Sequence, residues 1–312
     1  MAAETPAATA NGPLRRAWPF ILLIGAPAVW ALFYSASKIA AEAGIPSFVF
    51  SFWQSLGGGL LLLAICLGLR IPPGTGWRNL RAYAVIGALA VGFPLTLLNF
   101  VAPHINAGLM TLVLSFAPAL TYLFGVIARL ERIYLFGVLG ILLGFAGVSL
   151  VLVPETALPD PDMAGWFLLA LGTPCFFAMA SIAAALLQPP AEPSPASASG
   201  TLLGSSVVMA IFVLATGQTP ALLPAWSIAP WALLATVALT AFFISVFLEL
   251  VRLKGPVFFS QANYLITLYG FFWGWVIWGE SVSWWIWVAF ALVVLGILLA
   301  SFRRPLDKAA LR

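Results

Sequence analysis

The chain has 312 residues, 62% of them hydrophobic and only 8% charged, against roughly a quarter charged in an ordinary soluble domain. Water is not the main solvent of such a sequence. Its formal charge of +4 sits in small basic clusters between apolar runs, which argues against a nucleic-acid surface.

Apolar runs of about 20 residues, each long enough as a helix to cross the roughly 30 Å hydrocarbon core of a bilayer, recur along most of the chain. They predict an all-α polytopic membrane protein with ten spans. Residues 1–16 read as a disordered tail ending in Arg15 and Arg16, ahead of a run too long for a cleaved signal segment. Span one, 17–38, holds Pro27, Trp30, Tyr34 and Lys38 on one helical face. Span two, 46–69, contains "FSFWQSLGGG", whose glycines suit close helix packing. Span three, 82–101, offers Thr96 and Asn99 as its polar face. In span four, 107–128, Thr111, Ser115, Pro118, Tyr122 and Gly125 recur at intervals of four, three, four and three, which puts them on one stripe. Span five, 134–153, lines up Gly137, Gly140, Gly144 and Gly147 as a small-residue packing seam.

Span six, 164–187, carries "GTPCFFAMA" with Thr173, Pro174 and Phe177. The following "QPPAEPSPASAS", 188–199, is rich in Pro, Ala and Ser and reads as a flexible linker. Span seven is 200–216, and span eight, 230–251, contains Glu249, the one acid clearly inside a span. Span nine, 256–278, repeats the stripe of span four as Ser260, Tyr264, Thr267, Phe271 and Gly274, with Asn263 beside it. Span ten, 284–302, precedes a short tail at 303–312.

With ten spans both termini share a side, and every Lys and Arg except Lys38 falls on that side, which makes it cytoplasmic. An internal repeat is also legible. At an offset of 149 residues Gly125 matches Gly274, Glu131 matches Glu280 and Gly147 matches Gly296, while Pro27 matches Pro174 at an offset of 147. Each half, 17–153 and 164–302, then holds five spans. Five is odd, so the second half enters the bilayer from the opposite side as an inverted repeat. The end of the motif changes accordingly: Arg129 closes the first copy at the cytoplasmic face, Trp278 the second in the outer headgroup belt.

The stretches "AVWALFYSASK", "AGLMTLVLSFAPALTYLFGVIARLER" and "GFAGVSLVL" in the first half, with "GFFWGWVIWGE" and "LGILLAS" in the second, resemble the drug/metabolite transporter superfamily, in its ten-helix EamA-type branch. The resemblance implies an inner-membrane carrier that exports amino acids or other small metabolites by alternating access. It also meets two departures. Gln54 stands where the family often has an arginine, which removes a basis for inferring a charged substrate. Thr267 stands where Pro118 sits in the first half, which implies that only the first-half helix is broken at that level.

The expected substrate cavity lies among spans one, three, four, six, eight and nine. Its candidates are Trp30, Tyr34, Thr96, Asn99, Thr111, Ser115, Pro118, Tyr122, Thr173, Phe177, Ser260, Asn263, Tyr264 and Thr267. Small and hydroxyl-bearing residues at helical spacing equally describe helix–helix packing in lipid, and both readings stand. Pro27 and Pro174 are expected kinks. Lys38 either attracts a substrate carboxylate or snorkels to the interface. Glu249 is either a proton relay or the partner of Arg252 three residues on. The single histidine, His104, has no acid near it in sequence, and Cys66 and Cys175 sit inside apolar runs, so no catalytic group, metal site or cofactor is implied. The expected partners are a small-molecule substrate and the lipid bilayer, no nucleic acid, and the expected unit is a monomer. Efflux of drugs or quaternary amines, and a non-transporting membrane scaffold, are the competing functions.

Overall fold

The computed structural model describes residues 13–33, 46–101, 113–152, 163–217, 229–278 and 285–301. Tyr34, Lys38, His104, Thr111 and Glu280 lie outside them, and of Asn99 only the backbone is described. Helices make up the described chain, with α1 at Pro13–Trp30, α2 at Ser47–Gly68, α3 at Trp77–Gly87 and α4 at Phe93–Val101. They are followed by α5 at Ala117–Ile127, α6 at Leu135–Leu152, α7 at Met163–Ala170, α8 at Gly172–Leu187 and α9 at Ser194–Ala215. The last are α10 at Ala229–Lys254, α11 at Pro256–Ser260, α12 at Ala262–Trp278 and α13 at Trp285–Ser301.

Five helical stretches among the described residues are long and apolar enough to cross a bilayer: 48–68, 77–98, 168–187, 194–215 and 233–254. Shorter apolar helices cover 17–30, 117–127 and 135–147. The outer faces of these helices are themselves apolar. Ile65 on α2 and Ile211 and Leu214 on α9 are exposed, which a lipid environment tolerates and water does not.

Prolines explain where the helices break. Pro174 is the third residue of α8, just after the turn at Leu171 that ends α7, so its missing N–H falls in a first turn, where such donors are unpaired anyway. Pro118 is the second residue of α5, again in a first turn, after the turn at Ser115 and Phe116. Between α3 and α4 the chain does not break but widens into a π-helical turn at Ala88–Gly92, where Phe93 N–H reaches back to Ala88 O. Pro94 cannot donate to the carbonyl four residues before it, and the wider turn absorbs the defect. The α1 helix continues through Pro19 and Pro27 and reaches a turn only at Ala31.

The helix of span nine is interrupted at Gln261, between α11 and α12, while α12 runs unbroken through Thr267. An earlier break falls at Gly255, whose φ of 87° only glycine adopts easily, with Pro256 at the first helical position of α11. One expectation is corrected: the segment 188–199 is no flexible linker. Helix α9 starts at Ser194, and Ser194, Ala196, Ser197, Ala198 and Ser199 are all buried. Composition misled because Ser and Ala, scarce in apolar side-chain volume, here serve close approach. Gly200 and Gly204 let α9 lie against Tyr83 of α3, and a Cβ on Gly87 would sit 2.2 Å from Thr201 O.

The same junction buries an acid. Glu192 is 8% exposed, and among the described residues no cation pairs with its carboxylate; three neutral donors surround it instead. Tyr83 Oη lies 2.5 Å from Oε1 and 2.7 Å from Oε2, Gly74 N–H donates to Oε1 at 2.7 Å, and Ser197 Oγ donates to Oε2 at 2.8 Å. Arg252 reaches the Glu192 backbone carbonyl at 3.1 Å and pairs with Glu249, which also accepts from Ser194 Oγ at 2.6 Å. Glu249 is thus held in the local ion pair near the end of α10 and is not among the residues lining the cavity described below.

The helix neighbours follow a pattern. The most extensive packing joins α6 to α13, where Gly296 meets Gly140 O and Gly144 N, and the next joins α2 to α9. Helix α1 packs on α10 and α12, whereas α8 packs on α3, α4 and α5. Gly57, Gly58 and Gly59 press α2 against Val237, Leu202 and Leu203, as close-packing glycines should.

Candidate functional site

A cavity of about 70 Å³ lies at the centre of the bundle, bounded by α1, α2, the π turn, α4, α5, α8, α10, α11 and α12. On the scale where a water needs roughly 10–15 Å³, it holds several waters or the core of a small solute. Its wall is mainly apolar and aromatic. Trp30 stacks on Phe243 with ring centroids 4.5 Å apart and 18° between planes, and Phe247 meets Phe259 at 4.6 Å. Phe177 faces the same space from α8, and Ala90 and Val91 of the π turn close another side.

Five polar residues complete the wall: Gln54, Thr121, Ser181, Thr240 and Asn263. Thr121 Oγ1 donates to Ala117 O at 2.7 Å and Ser181 Oγ to Phe177 O at 3.0 Å, each within its own helix. Asn263 Nδ2 donates to Ser260 O at 3.0 Å. Gln54 Nε2 on α2 donates to Thr240 Oγ1 on α10, so a carboxamide is fixed between two helices. No ionisable side chain lines the cavity among the described residues.

Of the residues picked from the sequence, Trp30, Phe177 and Asn263 line this cavity. The rest of the described candidates lie elsewhere. Tyr122 Oη donates to Arg132 O and accepts from Tyr134 N–H, both at 3.1 Å, which ties the turn between α5 and α6. Tyr264 is fully buried with its hydroxyl on Ile141 O and its ring on Gly144. Ser260 and Thr267 bond to carbonyls of their own helical segments, and Thr96 donates to Met209 Sδ at 3.7 Å, joining α4 to α9. Ser115, Pro118 and Thr173 are buried outside the cavity wall. Trp273, considered for stacking on a ligand, donates its indole N–H to Ala28 O at 2.7 Å and ties α12 to α1.

The miss is systematic. The stripe read on span four ran through 118 and 122, but the cavity face runs through Ala117 and Thr121; in span nine it ran through 260, 264 and 267, but the cavity is lined by Phe259, Asn263 and Ile266. In both spans the cavity face is displaced by one residue from the expected stripe, about 100° of helix rotation. Gln54 was visible as a departure from a family pattern; Thr121, Ser181 and Thr240 are isolated hydroxyls with no periodic signal.

Comparisons with known proteins agree with this architecture. Residues 17–153 match the model of the EamA-like transporter family. An uncharacterized transporter from Archaeoglobus fulgidus is 28% identical over 128 residues, which cover 41% of this chain and 45% of that protein, so the match spans less than half of the relative's length. A solved crystal structure superposes with a TM-score of 0.72 over 91% of this chain and 96% of its own, at 18% identity, and so shares the fold. The chain is a helical membrane protein. More particularly its first half, residues 17–153, is similar to the EamA-like transporter family.

Proposed function

We propose that this chain is a secondary carrier that exports small metabolites across the inner membrane by alternating access, with amino acids and related compounds as the leading class. The observation that carries the reading is the central cavity, which draws on helices from both halves and has no ionisable side chain among its described lining residues. An inverted repeat of two five-helix halves supports it. Under that symmetry spans five and ten pair, as do two and seven, while the neighbours of span one, eight and nine, are exchanged for those of span six, three and four; the packing of α6 on α13, α2 on α9, α1 on α10 and α12, and α8 on α3 to α5 follows this rule. Both termini then lie in the cytoplasm, and the unit is a monomer in lipid. The interrupted helices provide points about which such halves rock. Without acids among the described residues of the cavity wall, flux runs down the metabolite gradient, and a quaternary amine finds no described carboxylate there to pair with.

Counterflow into proteoliposomes holding the purified full-length protein tests the function directly. Saturable uptake of at least one neutral metabolite from a panel of amino acids, nucleosides and quaternary amines is the expected result. A monodisperse protein that exchanges none of them, over empty-liposome background, supports the scaffold reading instead.

A further inference from the structure

Several buried side-chain polar atoms lack a hydrogen-bond partner among the described residues, including Ser51 Oγ, Thr173 Oγ1 and Gln261 Oε1. Only one of these atoms belongs to a residue that lines the central cavity: Oε1 of Gln54, whose residue is 0% exposed. An unpaired acceptor at such depth is a standing deficit that a bound donor removes. The amide is also held in place, since one N–H of its Nε2 donates to Thr240 Oγ1.

The rest of the polar wall points the same way. Thr121 and Ser181 have given their hydroxyl protons to carbonyls of their own helices, and Asn263 Nδ2 is engaged by Ser260 O. Among the buried side-chain polar atoms of the described wall, the one left without a partner is the acceptor oxygen of Gln54. Around it stand the stacked rings of Trp30 and Phe243 and the pair Phe247 and Phe259, which suit a flat apolar body. An ion entering this space would lose its water with no opposite charge to meet it.

We propose that Gln54 is the specificity-determining acceptor of the cavity, taking at Oε1 a hydrogen bond from an N–H or O–H of an uncharged, flat, largely apolar solute. The inference rests on the carrier reading and, among small metabolites, favours uncharged solutes over zwitterionic amino acids. Within that class, a neutral solute with a donor is selected over an isosteric one without it and over a carboxylate. The preference for the donor is worth roughly ten- to a hundredfold in affinity, the range expected when a buried polar group is left unpaired.

The test uses three matched probes on the purified full chain: the N-methyl amide of nicotinic acid, its methyl ester, and nicotinate itself. Amide and ester have nearly the same size and shape and differ by one N–H. Wild-type protein is expected to bind the amide at least tenfold more tightly than the ester and to bind nicotinate least, measured by ligand-dependent thermal shift and by competition in counterflow. Gln54→Leu is expected to bind amide and ester within about twofold of each other, with the amide losing and the ester keeping affinity. If that variant does not fold, the wild-type ratio alone decides. Equal binding of amide and ester by wild type, preference for nicotinate, or no binding of any probe overturns the assignment to Gln54 and leaves the carrier reading to its own test. Binding with the expected order but without counterflow upholds Gln54 and sinks the carrier reading.

Discussion

Replacing Glu192 by Ala is expected to cost about 3–5 kcal/mol of stability, because three donors lose a shared acceptor in a buried junction. Gly74 N–H, Tyr83 Oη and Ser197 Oγ all converge on the one carboxylate, and no described side chain stands ready to replace it. They come from the turn before α3, from α3 itself and from the first turn of α9, so the loss frees the approach of those helices rather than one local contact. Glu192→Gln keeps one acceptor oxygen and lets the hydroxyls of Tyr83 and Ser197 rotate toward the new amide; it is expected to cost about 1–2 kcal/mol. Thermal unfolding in detergent, followed by tryptophan fluorescence, reads both variants against wild type. An unchanged midpoint for Glu192→Ala would show that the carboxylate is not what binds α3 to α9.

The second large effect is on transport, with the fold left standing. Ala180 of α8 lines the cavity and is 1% exposed, so Leu at that position projects an isobutyl group into the 70 Å³ space. In a close-packed core such a change strains the structure by about 1–3 kcal/mol, but in a cavity it fills unoccupied volume and is neutral or stabilising. Ala180→Leu is therefore expected to keep or raise the melting midpoint while lowering counterflow by roughly tenfold or more, since one or a few excess methylenes in a fitted pocket discriminate on that scale. Full flux from this variant would mean that solute passes elsewhere.

Much of the fold was written in the sequence, and the reasons are physical. Apolar runs of membrane length have few alternatives to helix, because lipid leaves no other partner for backbone N–H and C=O groups. All the described helices fall within or close to runs marked in advance. The family likeness was legible for a related reason: motifs such as "AGLMTLVLSFAPALTYLFGVIARLER" combine small residues, a proline and a terminal charge, and each of these answers a fixed packing or interfacial demand.

The site was less legible. Hydroxyl and small residues on one stripe mark the face where helices touch, and in lipid that face looks as polar as a cavity wall. Tyr264 shows the ambiguity: its ring fills the notch of Gly144 and its hydroxyl finds Ile141 O, so its polarity is consumed by packing. The cavity face one residue away reads as plain apolar sequence with a lone Thr or Asn, because a pocket for small solutes needs few polar groups. Glu192 was hidden differently. In "QPPAEPSPASAS" the composition of a linker conceals an acid whose partners, Gly74 and Tyr83, lie more than a hundred residues away.

The absence of ionisable groups from the described cavity wall has an electrical consequence. A unit charge carried through the full membrane field exchanges about 2.3 kcal/mol per 100 mV, enough to reverse the direction of a modest chemical gradient. A neutral passenger in this wall carries none, so its movement is electrically silent: a voltage step across a bilayer containing the protein is expected to leave flux unchanged, and a substrate-dependent current would refute it. Cells that gain or lose polarisation would then move the solute at the same rate, governed by its concentration gradient alone.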